Sequence, residues 1–268
     1  MQLLNKAGSF IKRFWAHPLT KRIDVNDPYS IIVHREMIRS KPLLKSVYMR
    51  WYREILVAYN EIRSLSGDVV EIGSGAGFLD EVMPELIKTD VVPNPFASKV
   101  VDAMKLDFSD GQLKGIFLVG VLHHLPDPAL FLTEAQRCLR PGGRLVMIEP
   151  NNSWIERVLC KVLSHYEYFD DTIKDWKNDS ASHMTNANLA VPWVIFVRDR
   201  AKFEKVFRHL KIRNLKPHTF LSYFVSGGMT FRSFLPSFTV PLVNGFEGAL
   251  NPVMKWIGTQ LTIDIERV

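Results

Sequence analysis

The fold is decided by the stretch Glu71-Ile72-Gly73-Ser74-Gly75-Ala76-Gly77. Residues 68–72, which overlap the start of this stretch, have the pattern of a short buried strand that ends in the glycines. Glycines are needed where a strand turns sharply into a helix and a ligand lies against the backbone, and the first turn of that helix offers free N–H groups to an anion. The stretch therefore predicts a strand, a turn and a helix around a ligand, with a purely structural turn as the alternative.

The glycine spacing limits the class of ligand. A dinucleotide-binding loop has a glycine or alanine three residues after its second glycine. Here that position holds Phe78, and the last glycine of the stretch is Gly77. The spacing favours a ligand without a pyrophosphate, whose carboxylate and amino group meet the loop, and it disfavours a nicotinamide-dependent oxidoreductase.

Strand and helix patterns alternate after the glycine loop. Apolar strands are predicted at residues 86–92, 100–101, 115–121 and 144–149. Between the last two strands, Asp127-Pro128 predicts the start of a helix that stops at Arg140-Pro141-Gly142-Gly143. Apolar strands interleaved with helices predict a parallel sheet that is covered on both faces.

The flanking regions have other patterns. Residues 1–66 read as helices, with an amphipathic basic pattern at residues 3–15 and helix starts at Asp27-Pro28 and Ser40-Lys41-Pro42. Near the C-terminus, residues 199–210 predict a helix, and residues 211–220 and 259–267 predict two strands. We therefore divide the chain into an N-terminal helical cap at 1–66 and a domain at 67–268 with insertions at about 151–198 and 221–258.

The second insertion contains an apolar pattern with helical spacing. We predict one helix face that either packs in the core or forms a wall of an acceptor site, with Glu247 among the polar residues that face away. The residues of this face are Leu242, Val243, Phe246, Ala249, Leu250, Val253, Met254 and Ile257.

Composition and charge exclude several classes of protein. The 268 residues are 47% hydrophobic and 23% charged, as in ordinary globular chains, and no apolar run is long enough for a conventional spanning helix. Two cysteines exclude a disulfide scaffold, and the absence of a signal-peptide pattern favours the cytoplasm. The net charge is +7 over residues 1–66, −5 over 67–150 and +4 over 151–268. The basic head indicates an anionic surface or partner, or a solvated basic face.

Two acidic residues end predicted strands at the same sheet edge as the glycine loop. Asp90 can accept hydrogen bonds from both hydroxyls of a ribose, or it is a solvated turn residue before Pro93. Asp102 can accept from the exocyclic amine of an adenine with Met104 against the ring, or it is a helix cap.

Five motifs together resemble those of the class I S-adenosylmethionine-dependent methyltransferases, in the type 11-like group that includes ubiquinone and menaquinone biosynthesis C-methyltransferases. They are residues 71–77, Asp90, Asp102-Ala103, residues 121–128 and residues 139–145. The resemblance covers residues 67–150. It implies an α/β fold with a Rossmann-like, seven-stranded, mostly parallel sheet that ends in an antiparallel hairpin, together with N-terminal helices and an α-rich insertion. It also implies S-adenosylmethionine as the cofactor.

The same resemblance implies which residues hold this cofactor. The glycine loop would hold the methionine part, Asp90 the ribose, and Asp102 with Ala103 the adenine. The full set of expected cofactor contacts is Glu71, Gly73, Ser74, Gly75, Gly77, Asp90, Asp102, Ala103, Met104 and Gly120.

A histidine pair, His123 and His124, follows the fourth predicted strand at this edge. Methyl transfer from a sulfonium needs mainly positioning and the exclusion of water, but a hydroxyl acceptor also needs a base, for which the ordinary pKa of histidine is suited. One imidazole can face the site while the other packs under the loop; alternatively, both are loop histidines bonded to backbone. No metal site is predicted, because His165 and His183 lack a third ligand at a credible spacing.

These observations favour a methyltransferase that acts by O- or C-methylation on a small acceptor that is hydrophobic or lipid-linked. The amphipathic N-terminus indicates peripheral membrane contact through residues 1–17, at the inner face of the membrane, or a helix that covers the cofactor cleft or packs on residues 42–62. The alternatives are a soluble secondary-metabolite acceptor and a non-catalytic, cofactor-binding regulatory protein. No nucleic-acid partner is expected, because aromatic residues are not interleaved with the basic ones. No oligomeric state follows from the sequence.

Overall fold

The computed structural model describes residues 15–19, 27, 29–163, 167–178 and 187–268. Its main feature is a seven-stranded sheet in the order β3-β2-β1-β4-β5-β9-β8. The strands from β3 to β5 run parallel, and β9 pairs antiparallel with both β5 and β8, which confirms the predicted sheet and its terminal hairpin. The strands are β1 (Asp68–Glu71), β2 (Ile87–Asp90), β3 (Lys99–Val100), β4 (Leu113–Val119), β5 (Leu139–Pro150), β8 (Leu210–His218) and β9 (Gln260–Arg267).

A second, two-stranded parallel sheet lies in the first insertion, formed by β6 (Glu167–Tyr168) and β7 (Ala187–Asn188). Short helical segments at Val191–Trp193 and Val194–Arg198 follow it. No helix among the described residues is both long and apolar enough to cross a membrane. The main helices are α1 (Ser30–Ser40), α2 (Pro42–Ile62), α3 (Pro128–Cys138), α4 (Trp154–Leu163), α5 (Arg200–Val206), α6 (Leu221–Val225), α7 (Val240–Ala249) and α8 (Met254–Ile257).

Helix α2 covers one face of the sheet. Its buried residues Trp51, Ile55 and Ile62 recur at helical spacing and share one apolar cluster with Phe117 of β4 and Val146 of β5. Burying side chains of this size contributes roughly 1.5–3 kcal/mol each. The apolar core therefore runs across residue 66, where the sequence suggested a division between a cap and a domain.

Helix α3 covers the other face, and its start follows the predicted signal. The Asp127 side chain caps the helix by accepting from the Leu130 N–H at 3.1 Å, and Pro128 occupies the first turn. Phe131 and Leu132 of this helix are fully buried in the larger apolar cluster. Both faces of the sheet are therefore covered, as the apolar strands predict.

The helix predicted directly after the glycine loop is absent. A single 3-10 turn, Leu79–Glu81, follows the loop, and β2 begins at Ile87. Nine residues separate Gly77 from Ile87, and Pro84 among them lacks the N–H that a continuing helix needs. The prediction was wrong because this connection is too short for a helix and a return to the sheet.

The single apolar helix face predicted at residues 242–257 is also wrong. The chain forms α7, a 3-10 turn at Asn251–Val253 and α8 instead, because Pro252 interrupts the helix. Leu242 and Phe246 are 74% and 52% exposed, whereas Glu247, predicted to face away, is only 3% exposed. Glu247 turns inward because it accepts from the Ser222 N–H at 3.3 Å and forms an ion pair with Arg50.

Candidate functional site

The predicted site residues meet at one edge of the sheet, where the parallel strands end. Strand β1 ends at Glu71 and continues into the glycine loop, and β2 ends at Asp90. The turn Leu122–His124 follows β4, and Glu149 is the next-to-last residue of β5. Open α/β sheets bind ligands outside the carboxyl ends of their strands, so this edge is the expected location.

The glycine loop adopts backbone that favours glycine. Gly73 and Gly75 have φ values of +65° and +46°, in the left-handed region that residues with a Cβ rarely adopt. A Cβ built on Gly75 would meet only the Gly73 carbonyl oxygen, at 3.9 Å, among the described atoms, so the backbone there faces open space. The loop therefore forms an open cradle beside the end of β1.

The N-terminal helices hold this loop from the other side. The Tyr52 hydroxyl of α2 accepts from the Phe78 N–H at 2.8 Å. The Arg35 guanidinium of α1 donates to the Gly77 carbonyl and lies 4.5 Å from the centre of the Phe96 ring. No pattern in residues 67–150 indicates these contacts, because both side chains, Tyr52 and Arg35, come from outside the motif region.

The Glu71 side chain is buried beneath the cradle. Glu71 is 2% exposed, and its Oε2 atom has no hydrogen-bond partner within the part of the chain that the structure describes. Burial raises the pKa of Glu71 to about 7, although the nearby Lys88 acts in the opposite direction. A buried, unpartnered carboxylate oxygen is costly, so this site favours a ligand that brings a charged hydrogen-bond donor.

Asp90 ends β2 as predicted and already has protein partners. Its Oδ2 accepts from the Gly75 N–H at 2.9 Å and from the Asn94 side-chain amide at 3.0 Å, and its Oδ1 accepts from the Val91 N–H at 2.8 Å. A carboxylate has about four acceptor positions. Asp90 can therefore accept from one ribose hydroxyl while it keeps its three protein donors. To accept from both hydroxyls, it must lose one of those three hydrogen bonds. Asn94 was missed, although its place four residues after Asp90 was a signal.

The predicted adenine-binding residues follow β3. Asp102 is exposed, and its Oδ1 accepts from the Met104 N–H at 2.8 Å within a turn; no helix begins there, so the alternative of a helix cap is wrong. Ala103 is buried and Met104 half-buried. Gly120, after β4, has a φ of +67° and donates its N–H to the Ile148 carbonyl at 2.8 Å. The cofactor contacts of these residues stay predictions.

His123 is held in a fixed orientation by Glu149. Its Nδ1 lies 2.6 Å from Glu149 Oε2, while Glu149 Oε1 accepts from the N–H groups of Val121 and Leu122 at 2.9 and 2.7 Å. Because the carboxylate accepts at Nδ1, the Nε2 of His123 points the other way, toward Glu167 Oε1 at 3.8 Å. Glu149 was missed as a positioning residue, although an acid at the end of a buried strand was a signal.

Neither imidazole keeps the ordinary pKa of histidine. Burial acts to lower the pKa of His123, but the charge and hydrogen bond of Glu149 outweigh it and raise that pKa to about 9. Burial, and then the neighbouring His123, lower the pKa of His124 to about 3. Neither residue therefore keeps the ordinary pKa that the sequence argument used, and the role of either as a base stays a prediction.

The two imidazoles also share one side of the turn. Their ring centres are 4.2 Å apart, and His124 Nε2 lies 3.9 Å from the same Glu167 oxygen that His123 faces. Both rings therefore lie beside Glu167, and which of them faces an acceptor stays a prediction. Glu167 belongs to the first insertion, where no spacing rule from the sequence placed it.

Comparison with known proteins agrees with this geometry. Residues 70–147 match the family model of a methyltransferase domain, and they include the whole glycine loop, Asp90 and the histidine pair. Residues 70–147 therefore have the sequence of a methyltransferase domain, and the findings together support an S-adenosylmethionine-dependent methyltransferase. The matched region runs from β1 into β5.

Individual relatives match parts of the chain. It is 31% identical over 100 residues to the 2-methyl-6-phytyl-1,4-hydroquinone methyltransferase of Synechocystis sp., which covers 32% of this chain and 31% of that protein. It is 24% identical over 169 residues to the ubiquinone biosynthesis O-methyltransferase of Xanthomonas oryzae pv. oryzae, which covers 50% of this chain and 69% of that protein. The chain thus spans less than a third of the first relative's length.

Among solved structures, a S-adenosylmethionine-dependent methyltransferase from Archaeoglobus fulgidus is 17% identical, with a TM-score of 0.44 over 82% of this chain and 93% of that chain.

The cradle fits S-adenosylmethionine. The cofactor carries an ammonium group, and the unpartnered Oε2 of Glu71 is a buried acceptor for such a donor. The open backbone at Gly75 leaves room for the amino-acid part, and Asp90 lies within hydrogen-bond reach of the same loop. The residues present therefore fit the cofactor that the family uses.

Proposed function

We propose that this chain transfers a methyl group from S-adenosylmethionine to an oxygen or carbon atom of a small, hydrophobic acceptor. The observation that carries the proposal is the Glu71 Oε2 atom, which has no hydrogen-bond partner among the described residues, under the glycine loop and at the same sheet edge as His123 with its Glu149 partner. Glu71 and Asp90 would hold the cofactor at the ends of β1 and β2. The histidine pair would meet the acceptor beyond β4.

Positioning is the main contribution that these residues would make. Methyl transfer from a sulfonium is an in-line displacement, so a fixed approach of the acceptor lowers the barrier. His123 is 4% exposed and is fixed at Nδ1 by Glu149, so the direction of its Nε2 is set. The bound cofactor supplies the methyl group, and the burial of Glu71 and His123 limits the access of water to these two side chains.

A hydrophobic acceptor is supported by the chain's exposed apolar surface. Phe238, Leu242 and Phe246 recur every four residues and are 82%, 74% and 52% exposed; we call them the apolar rim. Phe238 lies in the 3-10 turn Ser237–Thr239, directly before α7, which carries Leu242 and Phe246. A group of exposed apolar residues is typical of contact sites. The printed names of the two relatives above also refer to quinone-type compounds, a hydroquinone in one and ubiquinone in the other.

The apolar rim begins close to the attachment of the N-terminus. Ala16 pairs antiparallel with Phe231, the Arg232 N–H donates to the Trp15 carbonyl at 2.8 Å, and the Trp15 ring lies 5.1 Å from that of Phe234. The amphipathic pattern at residues 3–14 lies outside the described residues. We propose that residues 1–17 and the apolar rim together contact a membrane surface and give access to a lipid-linked acceptor.

The test combines cofactor binding with methyl transfer. Calorimetry measures S-adenosylmethionine affinity, and labelled cofactor measures transfer to a phenolic acceptor with and without a prenyl tail. We expect micromolar affinity, roughly −8 kcal/mol, and faster transfer to the prenylated acceptor. Faster transfer to the acceptor without the tail would favour a soluble metabolite instead. Cofactor binding without any transfer would favour the regulatory alternative, and no binding would contradict the proposal.

A further inference from the structure

The histidine pair and Glu167 form a group that the methyl-transfer proposal does not fully use. Each offers one ligand atom, and the three atoms lie within 4.8 Å of one another. His123 Nε2 and His124 Nε2 are 3.8 and 3.9 Å from Glu167 Oε1, which is close to the spacing of ligands around a bound metal ion. We propose that His123, His124 and Glu167 bind one divalent transition-metal ion.

The surroundings of His123 match those of a metal ligand. A metal-binding histidine typically donates its second ring N–H to a carboxylate, which fixes the ring and makes the ligand nitrogen more basic. Glu149 takes this place at 2.6 Å from Nδ1, and the N–H groups of Val121 and Leu122 fix Glu149 in turn. Nε2 therefore points to the common centre of the group with its orientation already determined.

The ligand types indicate the class of metal. Two imidazoles and one carboxylate are typical of Zn²⁺ and of Fe²⁺ or Mn²⁺ sites with open positions, whereas Mg²⁺ and Ca²⁺ prefer oxygen ligands. Three protein ligands leave at least one position for another oxygen donor. That this donor is the methyl acceptor rests on the proposed function; the cation site itself does not.

The sequence missed this group because its third ligand is distant. His123 and Glu167 are 44 residues apart, so no local metal-binding spacing connects them. The prediction of no metal site considered His165 and His183, which lie outside the described residues. Strand β6 positions Glu167 by pairing with β7, and the Tyr168 carbonyl accepts from the Leu189 N–H at 2.9 Å.

The experiment uses the full chain after treatment with a chelator. Dialysis with metal analysis measures the uptake of Zn²⁺, Mn²⁺ and Mg²⁺ separately, and the visible spectrum of added Co²⁺ reports the ligands. We expect about one Zn²⁺ per chain at micromolar affinity or tighter, with Mg²⁺ at least a hundredfold weaker. We expect His124→Ala and Glu167→Gln each to weaken Zn²⁺ binding at least tenfold, and Glu149→Gln to weaken it about tenfold to a hundredfold.

His209→Ala is the matched control, because His209 is exposed and precedes β8 at the opposite edge of the sheet. It should bind Zn²⁺ as the unmodified chain does. S-Adenosylmethionine affinity checks that each variant is folded, and it also separates the two proposals. Cofactor binding without Zn²⁺ uptake, or uptake that His124→Ala and Glu167→Gln leave unchanged, would overturn the metal site and leave the proposed function standing. If a variant does not fold, a Co²⁺ spectrum of the unmodified chain without imidazole ligation would overturn it.

Discussion

Glu71 should make cofactor affinity depend on pH. Burial raises its pKa to about 7, and an ammonium donor requires the ionised carboxylate. Binding therefore lowers the pKa of Glu71, so affinity rises with pH and levels off above pH 7. From pH 6 to 7.5 the ionised fraction rises from about 9% to about 76%, which predicts an increase in affinity of about eightfold, ~1.2 kcal/mol. The range stops at pH 7.5 because a free α-amino group itself titrates near pH 8.

Calorimetry with S-adenosylmethionine across this pH range measures the effect. Glu71→Gln keeps the shape of the side chain and removes its charge, so we expect a loss of about 1.5–3 kcal/mol at pH 7.5 and little dependence on pH. The matched control is Asp68→Asn at the exposed start of the same strand, where Asp68 accepts from the Gln112 side-chain amide at 2.9 Å. It should keep the pH dependence of the unmodified chain.

Two results would refute this reasoning. A flat profile in the unmodified chain would mean that Glu71 is already ionised, or that the ammonium binds elsewhere. A pH dependence that survives Glu71→Gln would assign the titration to another group. Either result would remove the observation on which the cofactor position depends.

Three further changes test other parts of the structure. Asp90→Ala removes the acceptor of the Gly75 N–H and should cost about 1.5–3 kcal/mol in cofactor affinity by calorimetry; unchanged affinity would move the ribose site elsewhere. Glu247→Gln breaks a largely buried ion pair and should lower the free energy of unfolding by about 3 kcal/mol in urea, whereas Glu204→Gln in an exposed pair should change it by less than about 1 kcal/mol. Serine at all three positions of the apolar rim should reduce co-sedimentation with anionic vesicles at low salt, as should deletion of residues 1–17. If the serine variant and the chain without residues 1–17 both bind the vesicles as well as the unmodified chain does, membrane contact through these residues is contradicted.

The central sheet could be predicted because its signals are local. Apolar strands that alternate with a capped helix require a parallel sheet, and the alternation over residues 67–150 is regular. The resemblance to the class I methyltransferases implied the terminal antiparallel hairpin, and β8 and β9 are paired as expected. The sheet edge that holds the glycine loop, Asp90 and the histidines follows directly from that topology.

The errors arise where long-range contacts override local pattern. Residues 242–257 have apolar spacing for one helix face, but the charge of Arg50, almost two hundred residues earlier, draws Glu247 inward and turns Leu242 outward. The missing helix after Gly77 has a different cause, since only the length of the connection and Pro84 prevent it. A helical wheel represents neither a distant ion pair nor a connection length.

Glu149 connects the turn after β4, which the sequence placed at the site, with the contact of His123 toward Glu167, which the sequence did not predict. Its carboxylate holds the backbone after β4 through Val121 and Leu122, and the same group holds the His123 ring. A change at Glu149 would therefore move the turn beside the cofactor loop and the imidazole that faces Glu167 together. In the proposed function the methyl donor and its acceptor must be aligned with each other, and this buried carboxylate would tie both positions to a single strand, β5.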